Sequence, residues 1–172
     1  MWWFVVRLEV GPGYTRRGRG YRFNPHYEPG YDVVYLDVNQ PDFKLSRSTW
    51  VVADAQNLPF RSSSIDEVFS AHVIEHLEKP MKFLEECRRV LKRGGVVTIE
   101  TPNFLSKYAY LDPDHKHVFN IVKLWVSVRK AGLRPRFPPL NIGSLIPQKL
   151  RLLIRLVLLL LSDNLTIRGV KE

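Results

Sequence analysis

Four short stretches of this 172-residue chain carry residue types that can do chemistry together. Leu8-Glu9-Val10-Gly11-Pro12-Gly13 follows an apolar run, and a second run, Val33 to Leu36, ends in Asp37. A third ends in Ala53-Asp54-Ala55, and a fourth in Ser70-Ala71-His72. A strand that ends in a glycine turn lets backbone approach a ligand closely, because glycine adds no Cβ. The pattern does not complete a dinucleotide fingerprint, since Gly11 and Gly13 fit but the sixth position is Arg16. No Gly-Lys-Ser/Thr occurs in the chain, which excludes a P-loop. A ligand with an adenosine but no phosphates fits better.

Each acid has a role in that reading. Asp37, 28 residues after Glu9, is placed to accept both ribose hydroxyls. Asp54 can accept from the exocyclic amine of an adenine, while the Ala55 amide donates to a ring nitrogen. Leu58 and Phe60 are expected either to form an apolar wall there or to pack in the core. His72, directly after the fourth strand, is the first candidate for a general base; His115, within Asp112-Pro-Asp-His-Lys-His, is the second. His76, with Glu75 at an expected helix start, is read as structural. Cys87 stands alone, so neither a disulfide framework nor a metal site is expected.

The elements that position these residues follow from apolar periodicity. Strands are expected at Trp2 to Val10, Val33 to Asp37, Thr49 to Ala53, Glu67 to Ala71, Gly95 to Glu100 and from Asn164 to Lys171. Helical spacing marks Pro80 to about Lys92, stopped by Gly94-Gly95, and Val118 to Ala131, stopped by Gly132. Between Tyr14 and Pro29, glycines and prolines are too frequent for a regular crossover helix, and an open loop is expected. Strands alternating with helices predict an α/β fold, a parallel sheet covered on both faces.

In order along the chain, LEVGPG, YLDVN, VVADAQNLPF and SSSIDEVFSAHVIEHLEKPMKFLEECRRVLKRGGVVTIETPN resemble class I S-adenosylmethionine-dependent methyltransferases, within them the small type 11-like group. The resemblance covers Val5 to Asn103, and more weakly Asp112 to Asn120. It implies a doubly wound, Rossmann-like, mostly parallel sheet of seven strands with the last antiparallel; the first crossover helix, expected here to be reduced or replaced by a loop, is a departure from the family. It implies S-adenosyl-L-methionine as cofactor. Glu9, Gly11 and Gly13 match the loop that holds its methionine part, Asp37 the ribose acid, and Asp54 and Ala55 the adenine contacts. Ser70, Ala71 and His72 match the end of the fourth strand beside the reactive methyl. The departure is Thr15, where many members carry a third glycine.

The charge is unevenly spread. Met1 to Asn103 carries 14 basic and 13 acidic residues, Phe104 to Glu172 carries 12 and 4. The chain is therefore read as one methyltransferase domain with a cofactor-binding part, 1–103, and a basic part, 104–172, that favours a small-molecule or anionic acceptor, glycan-like or lipid-linked. Nucleic acid is less favoured, because Ser70-Ala-His-Val replaces the Asn/Asp-Pro-Pro-Tyr of resembling base-amine methyltransferases. The leucine-rich stretch 149–161, with Arg151 and Arg155, is expected to contact the domain, a second subunit or a membrane surface. The start of the chain has neither a basic leader nor a cleavage pattern, and cytoplasmic residence, with or without membrane association, is the expectation. The competing class is a noncatalytic protein that keeps the fold as an interaction or membrane-contact module.

Overall fold

The computed structural model describes residues 5–12, 31–40, 49–138, 154, 157, 158 and 161–172. Its centre is a seven-stranded sheet: β1 (Val5–Val10), β2 (Tyr31–Asp37), β3 (Thr49–Val52), β4 (Ile65–Ala71), β5 (Leu91–Pro102), β6 (Arg134–Arg136) and β7 (Asn164–Val170). The strand order is β3-β2-β1-β4-β5-β7-β6. Strands β1 to β5 pair in parallel, and only β7 runs against its neighbours, between β5 and β6. The doubly wound sheet with an antiparallel last strand is thus the observed fold. Its order reverses between β1 and β4, and a crevice at such a switch point, beyond the carboxyl ends of the strands, is where these sheets bind ligands.

The sixth strand falls where the sequence reads as a proline-rich piece. Pro135 is tolerated because β6 is an edge strand that pairs only with β7, so its missing N–H leaves no inner ladder broken.

Helix α1 (Pro80–Val90) begins with proline at its first turn and buries Phe83, Leu84, Cys87 and Val90 on one face. Burial pushes the Cys87 thiol up, so it stays protonated and inert. The helix ends short of the expected Lys92. Leu91 is already extended and fully buried, opposite Ile65 of β4, and the Lys92 ammonium reaches both Asp66 oxygens at 2.8 and 2.9 Å. Strand pairing and core burial there override helical spacing. Asp66 also accepts from the Val6 N–H at 3.0 Å, tying the starts of β1, β4 and β5 together.

Two further helices follow, α2 (Tyr108–Leu111) and α3 (Ile121–Lys130). The Asn120 side chain accepts from the Lys123 N–H at 2.7 Å and caps α3, while Gly132, at φ 78°, turns the chain out of it. That cap sets the helix start three residues later than the apolar pattern alone suggests. The expected loop from Tyr14 to Pro29 lies outside the described residues. So does most of 149–161, of which Ile154, Val157, Leu158 and Leu161 are helical. Among the described residues no helix is long and apolar enough to cross a membrane.

Candidate functional site

A cleft of about 500 Å³ opens at the switch point. Val10, Leu36, Val38, Ala53, Val73 and Leu77 form its apolar walls. Gly11, Asp37, Asp54, Ala55 and His72, from four different strand ends, share that lining with Gln56, His76, Glu78 and Lys116. Gly11 and His72, 61 positions apart in sequence, therefore meet because parallel strands put all their carboxyl ends on one edge.

Gly11 follows β1 with φ 63°, and its N–H donates to the Leu36 carbonyl at 2.8 Å. A Cβ on this residue would run into the Val73 side chain, itself a wall of the cleft. Glycine is thus required twice, for the left-handed turn and for the close approach. Asp37 is half-buried at the end of β2, its Oδ1 accepting from the Asn39 N–H at 3.0 Å and the Asn39 amide at 3.4 Å. Asp54 is exposed, and its Oδ1 accepts from the Gln56 N–H at 2.8 Å. The Gln56 side-chain amide also donates to both Asp54 oxygens, at 3.1 and 3.2 Å.

The loop that carries Asp54 and Ala55 is held from behind by α1. Gln56 Oε1 accepts from the Lys79 N–H at 2.7 Å, at the helix start. Glu86 Oε2 accepts from the Leu58 N–H at 2.9 Å. Arg89 binds Glu86 through two nitrogens, each at 2.8 Å, and donates to the Leu58 and Phe60 carbonyls, also at 2.8 Å. The Arg89 guanidinium holds the Glu86 carboxyl below its ordinary value, outweighing burial. Leu58 is buried in the core and Phe60 packs against it; neither lines the cleft, so of the two roles expected for them core packing is the observed one.

His72 sits immediately after β4 at φ 54°, a left-handed conformation uncommon for a residue with a Cβ. Its N–H donates to the Glu100 carbonyl at 2.9 Å. The ring Nδ1 lies 3.3 Å from Oε1 of Glu75, a carboxylate only 1 % exposed. That carboxylate holds the His72 imidazole above its ordinary value against the opposing effect of burial, with a smaller pull from Glu100.

The other sequence candidates stand elsewhere. Ser70 is fully buried within the sheet between Val10 and Ile99, and Ala71 is half-buried opposite Glu100. Glu9 is half-buried between Tyr35 and Phe69 in register; none of these three is in the cleft lining. Gly13 and Thr15 lie outside the described residues. His115 is beside the cleft wall rather than in it, its ring 4.6 Å from that of His76. Glu75 and His76 occupy a turn and not the expected helix start: α1 begins only at Pro80, and the Glu75 carbonyl accepts from the N–H groups of Lys116 and His117 at 2.9 and 3.0 Å. Sequence reasoning passed over His76, Lys116 and Glu78 as cleft residues. The signal that could have found His76 is its place four residues after His72, next to a buried acid.

A family profile described as a methyltransferase domain matches residues 8–99. A probable S-adenosylmethionine-dependent methyltransferase of Mycolicibacterium smegmatis is 30% identical over 124 residues, 67% of this chain and 48% of the relative. Another, of Mycobacterium tuberculosis, is 32% identical over 151 residues, 76% of this chain and 55% of the relative. The chain thus spans about half the length of these relatives. In fold it is similar to a crystal structure of a SAM-dependent methyltransferase from Archaeoglobus fulgidus, with TM-score 0.68, 21% identity and coverage of 98% of this chain and 86% of that one.

Proposed function

The chain belongs to the class I S-adenosylmethionine-dependent methyltransferase family, whose cofactor is S-adenosylmethionine, and on that premise we propose that it is an enzyme that methylates a small anionic acceptor, glycan-like or lipid-linked. The observation that carries the reading is the cleft at the switch point, where Gly11, Asp37, Asp54, Ala55 and His72 converge. S-adenosylmethionine brings a methyl group already activated on a sulfonium. What remains for the protein is to hold cofactor and acceptor in line and to take a proton where the acceptor has one to lose.

The residues fit those tasks. Asp37 binds the ribose hydroxyls, and Asp54 and the Ala55 amide recognise the adenine edge, with Leu36, Val38 and Ala53 against its faces. A carboxylate offers about four acceptor sites, so Asp54 can keep its Gln56 bonds and still accept an amine. The bare backbone of Gly11 lets the methionine part pass close to the sheet edge. His72 is the general base for the acceptor, oriented through its ring contact with Glu75. The basic part of the chain after Asn103 supports an anionic acceptor; Lys116 of the cleft lining is itself paired with Glu78 at 2.6 Å. Exposed Val157, Leu158 and Leu161 support a contact of the leucine-rich stretch with a second subunit or a membrane.

Calorimetric titration with S-adenosylhomocysteine tests the reading. One equivalent is expected to bind, and Asp37→Ala is expected to weaken it by about 2 kcal/mol, the loss of a charged acceptor for two hydroxyls. No binding at millimolar ligand would remove the enzyme assignment. Unchanged affinity in Asp37→Ala would remove the ribose assignment alone.

A further inference from the structure

Behind the cleft wall, one carboxylate and two imidazoles converge from segments that are distant in sequence. Glu75, His76 and His115 each offer a ligand atom, and these atoms lie within 4.8 Å of one another. We propose that these three residues bind a divalent first-row transition metal, of the zinc class, at the acceptor side of the cleft.

Three features beyond proximity carry the assignment. The first is the fixed tautomer of both imidazoles. His76 Nδ1 is 3.2 Å from the Asp114 carbonyl, and His115 Nδ1 is 3.2 Å from the Ala109 carbonyl. A carbonyl only accepts, so each ring carries its proton on Nδ1 and presents the lone pair of Nε2. A metal-bound histidine is ordinarily held in this way, by donating its other ring N–H to an acceptor behind it. Two histidines from distant segments share this arrangement and meet edge to face at a ring separation of 4.6 Å.

The second feature is the carboxylate. Glu75 is 1 % exposed, and its Oε2 accepts from the Thr101 hydroxyl at 3.0 Å. Its Oε1 is buried and faces the His72 Nδ1 at 3.3 Å. A carboxylate oxygen has two lone pairs, so Oε1 can keep that contact and still ligate a cation, which offsets the cost of burying its charge.

The third is the scaffold. The Glu75 carbonyl takes both N–H groups of Lys116 and His117, which clamps the loop bearing His115 onto the turn bearing Glu75 and His76. The set is therefore positioned by backbone rather than by the ligands themselves.

The donor types select the metal. Two imidazoles and a carboxylate suit zinc and its neighbours, whereas magnesium and calcium favour all-oxygen sets. Three protein ligands leave a fourth position, which in catalytic sites of this kind holds water or substrate. Because His76 also lines the cleft, that position adjoins the acceptor.

The test uses the untagged full chain, stripped with a chelator and titrated with Zn²⁺, Co²⁺ or Mg²⁺ alone. One equivalent of Zn²⁺ is expected to bind, with Co²⁺ developing the intensified visible absorption of a four-coordinate site. His76→Ala and His115→Ala, each verified as folded by circular dichroism, are expected to weaken Zn²⁺ by about tenfold or more and abolish the cobalt spectrum. His117→Ala, whose ring is outside the set, is expected to change affinity less than about twofold. No stoichiometric binding, binding of Mg²⁺ in preference to Zn²⁺, or a loss confined to His117→Ala would each overturn the proposal. Metal binding and S-adenosylhomocysteine binding are read separately, so failure of one leaves the other standing.

Discussion

His72 is where residue chemistry and backbone geometry meet. The left-handed turn at φ 54° takes the chain out of β4 and swings the imidazole into the cleft instead of along the strand. A Cβ in that region costs about 1–2 kcal/mol, which glycine escapes at some cost in chain entropy. His72→Gly is therefore expected to be more stable than His72→Ala by about 1 kcal/mol in thermal melts. Both variants are expected to lose turnover by about 10²-fold or more, the usual contribution of a positioned base. Full turnover in either variant would dismiss the imidazole as the base, whatever the melts show. Gly11 has no such latitude, because any Cβ there meets Val73.

At the scale of elements, helix α1 is the back support of the cofactor-side loop. Its Glu86–Arg89 pair and the N–H of its capping residue Lys79 fix residues 56, 58 and 60 by four hydrogen bonds. Arg89→Ala removes the donors to two carbonyls and leaves Glu86 without its partner. A loss of about 2 kcal/mol in stability is expected, together with weaker S-adenosylhomocysteine binding, since the loop carries Asp54 and Ala55. The pair also sets an acid dependence. The Glu86 carboxyl is held below its ordinary 4.5 in the folded protein. Its contribution is complete above that unfolded value and is lost as pH falls through the lower folded one. Melts between pH 7 and 3 are expected to fall more steeply below 4.5 in the wild type than in Glu86→Gln. Parallel curves would show that the pair contributes no pH dependence.

At the scale of the molecule, charge divides the chain. The part up to Asn103 is nearly neutral and holds the residues assigned to the cofactor; the remainder carries 12 basic and 4 acidic residues. The excess of 8 positive charges in that remainder (12 basic less 4 acidic) attracts anions over a range of about 10 Å at 0.1 M salt. Flotation with vesicles of anionic lipid is expected to show binding at low ionic strength that salt reverses and that Arg151→Ala/Arg155→Ala weakens. Vesicle binding that is absent or indifferent to salt would leave the exposed Val157, Leu158 and Leu161 to a second subunit.

The sequence by itself determined the succession of β1 to β5, α1, α3 and β7, the glycine turn at Gly11, and the acids at the ends of β2 and β3. Those features are local, because alternation, turn residues and helix stops are written within a few positions of one another. It missed β6, since a tripeptide centred on a proline becomes a strand only when an edge is waiting for it. It extended α1 too far, since Leu91 yields to a partner strand that helical spacing cannot reveal. Tertiary structure alone decided the company each site residue keeps. Ser70 and Ala71 occupy the predicted strand end but fall inside the sheet, while His76, read as structural, reaches the cleft. The meeting of Glu75 and His76 with His115 depends on a loop folding back so that Lys116 and His117 donate to the Glu75 carbonyl, and no spacing along the chain encodes such a closure.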